Sequence, residues 1–108
     1  MYRLKISKLY KEDTSSCYDY IKHELEAPMA ANNLKKEIRE KINKIKDNPN
    51  IRPLVQDKYL ALLGFRSINV KNYVIFYIIE DDNKCIKMVR FLHSRRNWIN
   101  ILKEKIIE

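Results

Sequence analysis

The side chains best suited to chemistry crowd into one half of the chain. Arg90, His93, Arg95 and Arg96 fall within seven residues, in the run Arg90-Phe91-Leu92-His93-Ser94-Arg95-Arg96. Arg66 stands alone among apolar residues some way upstream, and Tyr73 and Tyr77 lie between. Arginine offers a planar, permanently charged donor fork that matches a phosphate. Histidine can take up or give a proton near neutral pH. Tyrosine rings can serve as platforms for nucleic acid bases. Together they suggest phosphate binding with acid–base help from His93. Each also has an ordinary structural reading: Arg66 in an ion pair at a sheet edge, His93 as a hydrogen-bonding residue, Tyr73 and Tyr77 as core rings with a polar tip.

The elements that must position these groups are strands. Tyr73 to Ile79 (YVIFYII) is aromatic and β-branched throughout, and Cys85 to Leu92 is a second apolar run. The polar segment Glu80-Asp81-Asp82-Asn83 between them predicts an antiparallel hairpin. Parity constrains it: in a regular strand Arg90 and His93 point to opposite faces, and they converge only if the strand ends or bulges near Leu92.

Upstream, Tyr2, Leu4 and Ile6 alternate with polar residues as in a half-buried strand, and Ser7 can cap a helix over about residues 8–26, weakened by Asp13-Thr14-Ser15-Ser16. A second helix starts at Pro28. Ala31, Leu34, Ile38, Ile42 and Ile45 form its apolar stripe, and Asn48-Pro49 ends it. Arg39, Lys41, Lys44 and Lys46 read as its solvated face. Residues 50–59 read as a loop and 60–70 as another strand. Trp98, Ile101, Leu102 and Ile106 mark a short terminal helix capped by Ser94 or Asn97. The result is a single α+β domain over residues 1–108, β-α-α-β-β-β with an antiparallel sheet, a two-helix hairpin on one face and a C-terminal helix.

Composition sets limits. The chain has 108 residues, 22 Lys and Arg against 14 Asp and Glu, and a net charge of +8, which suits a polyanion or an acidic protein partner. One glycine, Gly64, leaves no Gly-rich phosphate loop. Cys17 and Cys85 lie far apart, and neither cysteines nor histidines have metal-ligand spacing, so the expectation is reduced thiols, no metal and no cofactor. No apolar segment follows Met1-Tyr2-Arg3-Leu4-Lys5, and no run reaches spanning length. A cytoplasmic protein without a membrane partner is expected.

Several of these stretches resemble the RelE/ParE superfamily of bacterial type II toxins. The resemblance runs nearly end to end: the order of elements, the Asn48-Pro49 helix stop, Gly64-Phe65-Arg66, Asn72-Tyr73-Val74-Ile75-Phe76-Tyr77, and Arg90-Phe91-Leu92-His93-Ser94-Arg95-Arg96. Ser94 stands where the family often has Gly, and Asn97 where it often has Asp.

The resemblance implies a toxin neutralised by a cognate antitoxin. One branch of the superfamily cleaves mRNA on the ribosome, and another poisons DNA gyrase. The first pattern is the expected one: the chain would be a ribosome-dependent, metal-independent endoribonuclease using the substrate's 2′-hydroxyl as nucleophile. Arg66 would stabilise the transition-state charge, His93 would be acid or base, and Arg90 would support them. Arg95, Arg96, Tyr73 and Tyr77 would contact RNA. On the second it is a non-enzymatic gyrase inhibitor, for which the R-F-L-H-S-R-R corner speaks. A third possibility is an inactive basic module that only binds an antitoxin.

Overall fold

The computed structural model describes residues 2–104. Strand β1 (Arg3–Ile6) leads into helix α1 (Lys8–Asp19). Ser7 makes the junction: its Oγ accepts from the Tyr10 amide at 2.9 Å, and its hydroxyl donates to the Val89 carbonyl at 2.7 Å. One residue thus caps the helix and fastens its start to the sheet. The Asp-Thr-Ser-Ser stretch is tolerated because its polar groups find work. Thr14 is buried and donates back to the Tyr10 carbonyl at 3.1 Å, while Asp13 is claimed by the sheet, as described below.

A single π-type turn, Tyr20–Glu24, closes the first helix, and Glu26 takes a left-handed φ of +50° before the chain reverses. Helix α2 (Pro28–Asp47) follows, with Ala31, Leu34, Ile38 and Ile45 buried as the spacing predicts. It ends at Asn48, whose amide donates to the Lys44 carbonyl at 3.1 Å.

The next stretch departs from expectation. Residues 58–62 are neither loop nor strand but a short helix, α3 (Lys58–Leu62), nucleated by Asp57, whose Oδ2 accepts from the Leu60 amide at 3.1 Å. That bond holds the half-buried Asp57 carboxyl below its usual range. Gly64, at φ +91°, then turns the chain into β2 (Phe65–Val70), so the strand is shorter than residues 60–70.

Strands β3 (Tyr73–Glu80) and β4 (Cys85–His93) form the expected hairpin. The sheet order is β1-β4-β3-β2. The β2–β3 and β3–β4 pairs are antiparallel, but β1 joins β4 in parallel, Leu4 opposite Ile86. The sheet is therefore mixed, because the chain crosses the helical face before its later strands fill the sheet. Helix α4 (Trp98–Glu104) completes the fold, and its cap is Asn97. Ile106 lies outside the described residues.

Both sheet faces are covered. On one, Leu34, Ile38 and Ile45 of α2 and Tyr10 of α1 pack on Ile75, Tyr77, Met88 and Phe91. On the other, Leu60 of α3 and Leu102 of α4 pack on Phe65, Val74, Phe76 and Leu92. That is why YVIFYII is continuously apolar and does not alternate. Cys85 is buried and Cys17 half-buried, both as free thiols. No described helix is long and apolar enough to cross a membrane.

The Tyr10 hydroxyl is buried with no hydrogen-bond partner among the described residues, and burial pushes its phenol well above the ordinary 10.0. A folded value above the unfolded one means stability is intact below about pH 10 and falls as pH rises through the folded value. Tyr10→Phe should therefore raise stability by about 1 kcal/mol at neutral pH and lessen the alkaline loss. Urea midpoints measured on both sides of pH ~10 check both effects. A variant less stable than the parent would contradict the orphaned-hydroxyl account.

Candidate functional site

The expected cluster resolves into three separate places. Arg90 is committed first. Its Nε and Nη2 meet the two carboxylate oxygens of Asp13 at 2.7 and 2.9 Å, and Asp13 Oδ2 also accepts from the Phe91 amide at 3.1 Å. The side chains are only 12% and 15% exposed. Strand β1 ends opposite Met88, so beyond that point the edge of β4 is free, and α1 covers it with this carboxylate. Arg90 is a clamp between helix and strand, with its fork already filled.

His93 sits on the other face. The irregularity in β4 falls between the pairs Phe76↔Arg90 and Tyr77↔Met88, leaving Val89 as the extra residue. From Arg90 to His93 the ladder is regular, so the two side chains point apart and the bulge that would have joined them lies elsewhere. His93 Nδ1 accepts from the Arg95 amide at 3.1 Å, and its ring meets Tyr73 edge-on at 5.3 Å. That bond assigns the ring proton to Nε2 and makes His93 the brace of the turn after β4. Arg95 and Arg96 follow as exposed side chains.

The two tyrosines differ. Tyr73 is half-buried, stacked on Phe91 with centroids 4.9 Å apart. Burial, and after it the Cys17 thiol, push its phenol up to about 12. Tyr77 is fully buried, and its hydroxyl donates to the Pro49 carbonyl at 3.2 Å. No base can stack on it. Burial raises its phenol as well, partly offset by Arg66 and Arg52.

Arg66 belongs with Tyr77, its cross-strand partner. It lies near the outer edge of the sheet, where Nη1 donates to the Arg52 carbonyl and residue 66 bridges Leu54. The Arg52 side chain donates in turn to the Ser67 carbonyl at 3.2 Å. Nothing in the sequence pattern singled out Arg52, or Asp13 as the partner of Arg90.

The separation decides what these groups can do. Arg66 is opposite Tyr77 and His93 opposite Tyr73, so four residues and two strand spacings separate them, roughly 16 Å between Cα positions. General acid–base work on one phosphate needs groups within about 3 Å of the reacting atoms. Arg66 and Arg90 are instead each held by a protein partner, the Arg52 carbonyl and the Asp13 carboxylate.

A further concavity opens on the sheet face bearing α3 and α4. It holds about 320 Å³ and is lined by Leu63, Phe65, Ile78, Val89, Ile101 and Leu102, with Lys8 and Lys87. Its apolar floor and its lysines suit an amphipathic, acidic segment better than a small polar substrate. Among the described residues, no cluster of three or more His, Cys, Asp or Glu is placed to hold a metal ion.

The family model for the ParE toxin of the type II toxin-antitoxin system parDE matches residues 4–98. This chain belongs to that toxin family. Solved structures agree on the fold. A chain of the chromosomal ParDE toxin-antitoxin system from P. aeruginosa superposes with a TM-score of 0.69 at 18% identity, covering 88% of this toxin and 98% of that chain. The isolated E. coli RelE toxin gives 0.61 at 14% identity over the full length of both chains. The RelBE2 toxin-antitoxin complex from Mycobacterium tuberculosis gives 0.59 at 15% identity, covering 85% of this toxin and 96% of that chain. No curated protein sequence matches the toxin. The RelE/ParE fold expected from the sequence is thus the fold observed, with the parallel β1–β4 pair added.

Proposed function

We propose that this toxin inhibits DNA gyrase by binding it and does not cleave RNA. The observation that carries the reading is the dispersal of Arg66, Arg90 and His93 over two faces and two ends of the sheet. An endoribonuclease working without a metal has to gather its acid, base and charge-stabilising donor around one phosphate. An inhibitor that acts by contact has no such requirement, and exposed Arg95 and Arg96 beside a braced turn suit a recognition surface. Membership of the ParE toxin family supports the same choice.

The partner that restrains the toxin is, on this reading, an antitoxin with an acidic amphipathic segment. The apolar concavity containing Lys8 and Lys87 would accept its apolar face, and the net charge of +8 would favour its approach.

Two assays on the same purified protein test the target. Supercoiling by gyrase should be blocked or cleaved DNA trapped, while mRNA in a reconstituted translation system stays intact. His93→Gln should leave gyrase inhibition within about threefold, because the residue braces a turn and transfers no proton. Ribosome-dependent mRNA ends with unimpaired gyrase would overturn the proposal and return Arg66 and His93 to candidacy as catalysts. Silence in both assays would leave the fold without this activity.

A further inference from the structure

The β2 edge carries a feature that the gyrase reading does not use. Lys41 and Lys44 of α2, Arg52, Ile51, Ile68 and Asn69 enclose a notch of about 280 Å³. The lysines are three apart and share one face of the helix. Lys41 also sits three residues after Ile38 and four before Ile45, in register with the buried stripe, and is half-buried. It is not part of a solvated face, as the sequence suggested. A half-buried lysine lays its stem along the apolar stripe and carries its ammonium to the surface, where a carboxylate can pair with it. None is present: among the described residues, Lys41, Lys44, Arg52 and Arg66 make no ion pair.

The kind of anion follows from the strand edge. An acidic peptide would be held best by adding a strand to β2. That edge is largely closed. The Val55 amide donates to the Phe65 carbonyl at 3.0 Å, Leu54 bridges Arg66, and Arg52 Nε occupies the Ser67 carbonyl. What stays open is a small hole with three cations on its walls, the Asn69 side chain beside it and an apolar floor of Ile68. A compact tetrahedral anion with an apolar neighbour fits this description, and a phosphodiester with its sugar is such a group. We infer that the Lys41–Lys44–Arg52 notch binds the phosphodiester backbone of a nucleic acid. The inference is independent of the gyrase proposal, since it concerns a different surface and needs no enzyme.

The test is fluorescence anisotropy with the purified full chain and two labelled probes of random sequence, duplex DNA and single-stranded RNA, over a range of salt. A poly-glutamate peptide serves as the acidic-protein probe. Lys41→Gln with Lys44→Gln should weaken nucleic acid binding about tenfold and reduce the slope of log affinity against log salt by about 2 for duplex DNA. The charge-matched pair Lys22→Gln with Lys36→Gln, on exposed positions away from the notch, should change the slope much less. If the double variant does not fold, Lys44→Gln alone, at an exposed position, should lower the slope by about 1. Notch-dependent binding of either nucleic acid supports the inference, and the tighter probe identifies its source. Equal losses in the two pairs, no nucleic acid binding by the parent, or notch-dependent binding of poly-glutamate alone would each overturn it.

Discussion

Asp13→Ala should cost about 3–4 kcal/mol, a large share of the roughly 5–15 kcal/mol expected for a domain of this size. The substitution strands the Arg90 guanidinium, which is only 12% exposed, without its counter-charge. It also takes the acceptor from the Phe91 amide, a further loss of about 1 kcal/mol contained in that range. Arg90→Ala should cost somewhat less, about 3 kcal/mol, because the remaining carboxylate keeps the Phe91 amide. Replacing both at once with apolar residues, Asp13→Leu and Arg90→Met, should cost less than either single change, since no buried charge is left alone. Chemical denaturation of the two single variants and of Asp13→Ala combined with Arg90→Ala closes a double-mutant cycle and measures the coupling directly. Additive losses would mean that the clamp contributes little and that solvent reaches the pair freely. The cycle also bears on function. If Arg90 worked on a substrate, Arg90→Lys would abolish activity in a protein of near-parental stability. As a clamp, the loss of activity should track the fraction folded.

How far could the sequence be read? Periodicity carried α2, which buries one stripe, and two apolar, β-branched runs around a polar turn carried the β3–β4 hairpin, which is buried on both faces. The stop at Asn48-Pro49 and the start at Pro28 were equally readable, since backbone sterics act within one or two residues. Helix α3 was missed because five residues are too short for a period to register. Its signal was the Asp57 cap followed three residues later by Leu60, with Gly64 beyond the end. The parallel β1–β4 pair was not legible, since strand direction is set by the path of the whole chain.

The candidate site was read on a different kind of evidence. Arg66, Arg90 and His93 attracted attention by residue type, but type says nothing about which neighbours claim a side chain. Asp13 lies 77 residues from Arg90, and nothing in either segment points to the other. The parity of Arg90 and His93 was the exception. It warned from the sequence that they face apart unless a bulge intervenes near Leu92. The bulge exists, but at Val89, upstream of both residues, where it cannot bring them together.

Tyr77 gives the sharpest contrast between a residue's chemistry and its place. Tyr77→Ala should cost about 4 kcal/mol, a large share of the domain's stability, because the side chain is completely buried between the sheet and α2. Tyr77→Phe keeps the ring and loses only the bond to the Pro49 carbonyl, so about 1 kcal/mol is expected. That bond fixes the segment after α2, and the same segment supplies Arg52 to the β2 edge. Tyr77→Phe should therefore loosen residues 49–52, which hydrogen exchange of the Ile51 amide, bonded to the Asn48 carbonyl at 3.0 Å, would register as faster opening. A base-stacking role predicts the same order but a different loss. The ring is what stacks, so Tyr77→Phe would preserve RNA contact and the segment after α2 alike, and Tyr77→Ala would lose RNA contact in a protein that still folds. Thermal unfolding of both variants separates the two cases, because only a core ring links removal of the side chain to a large loss of the domain's stability.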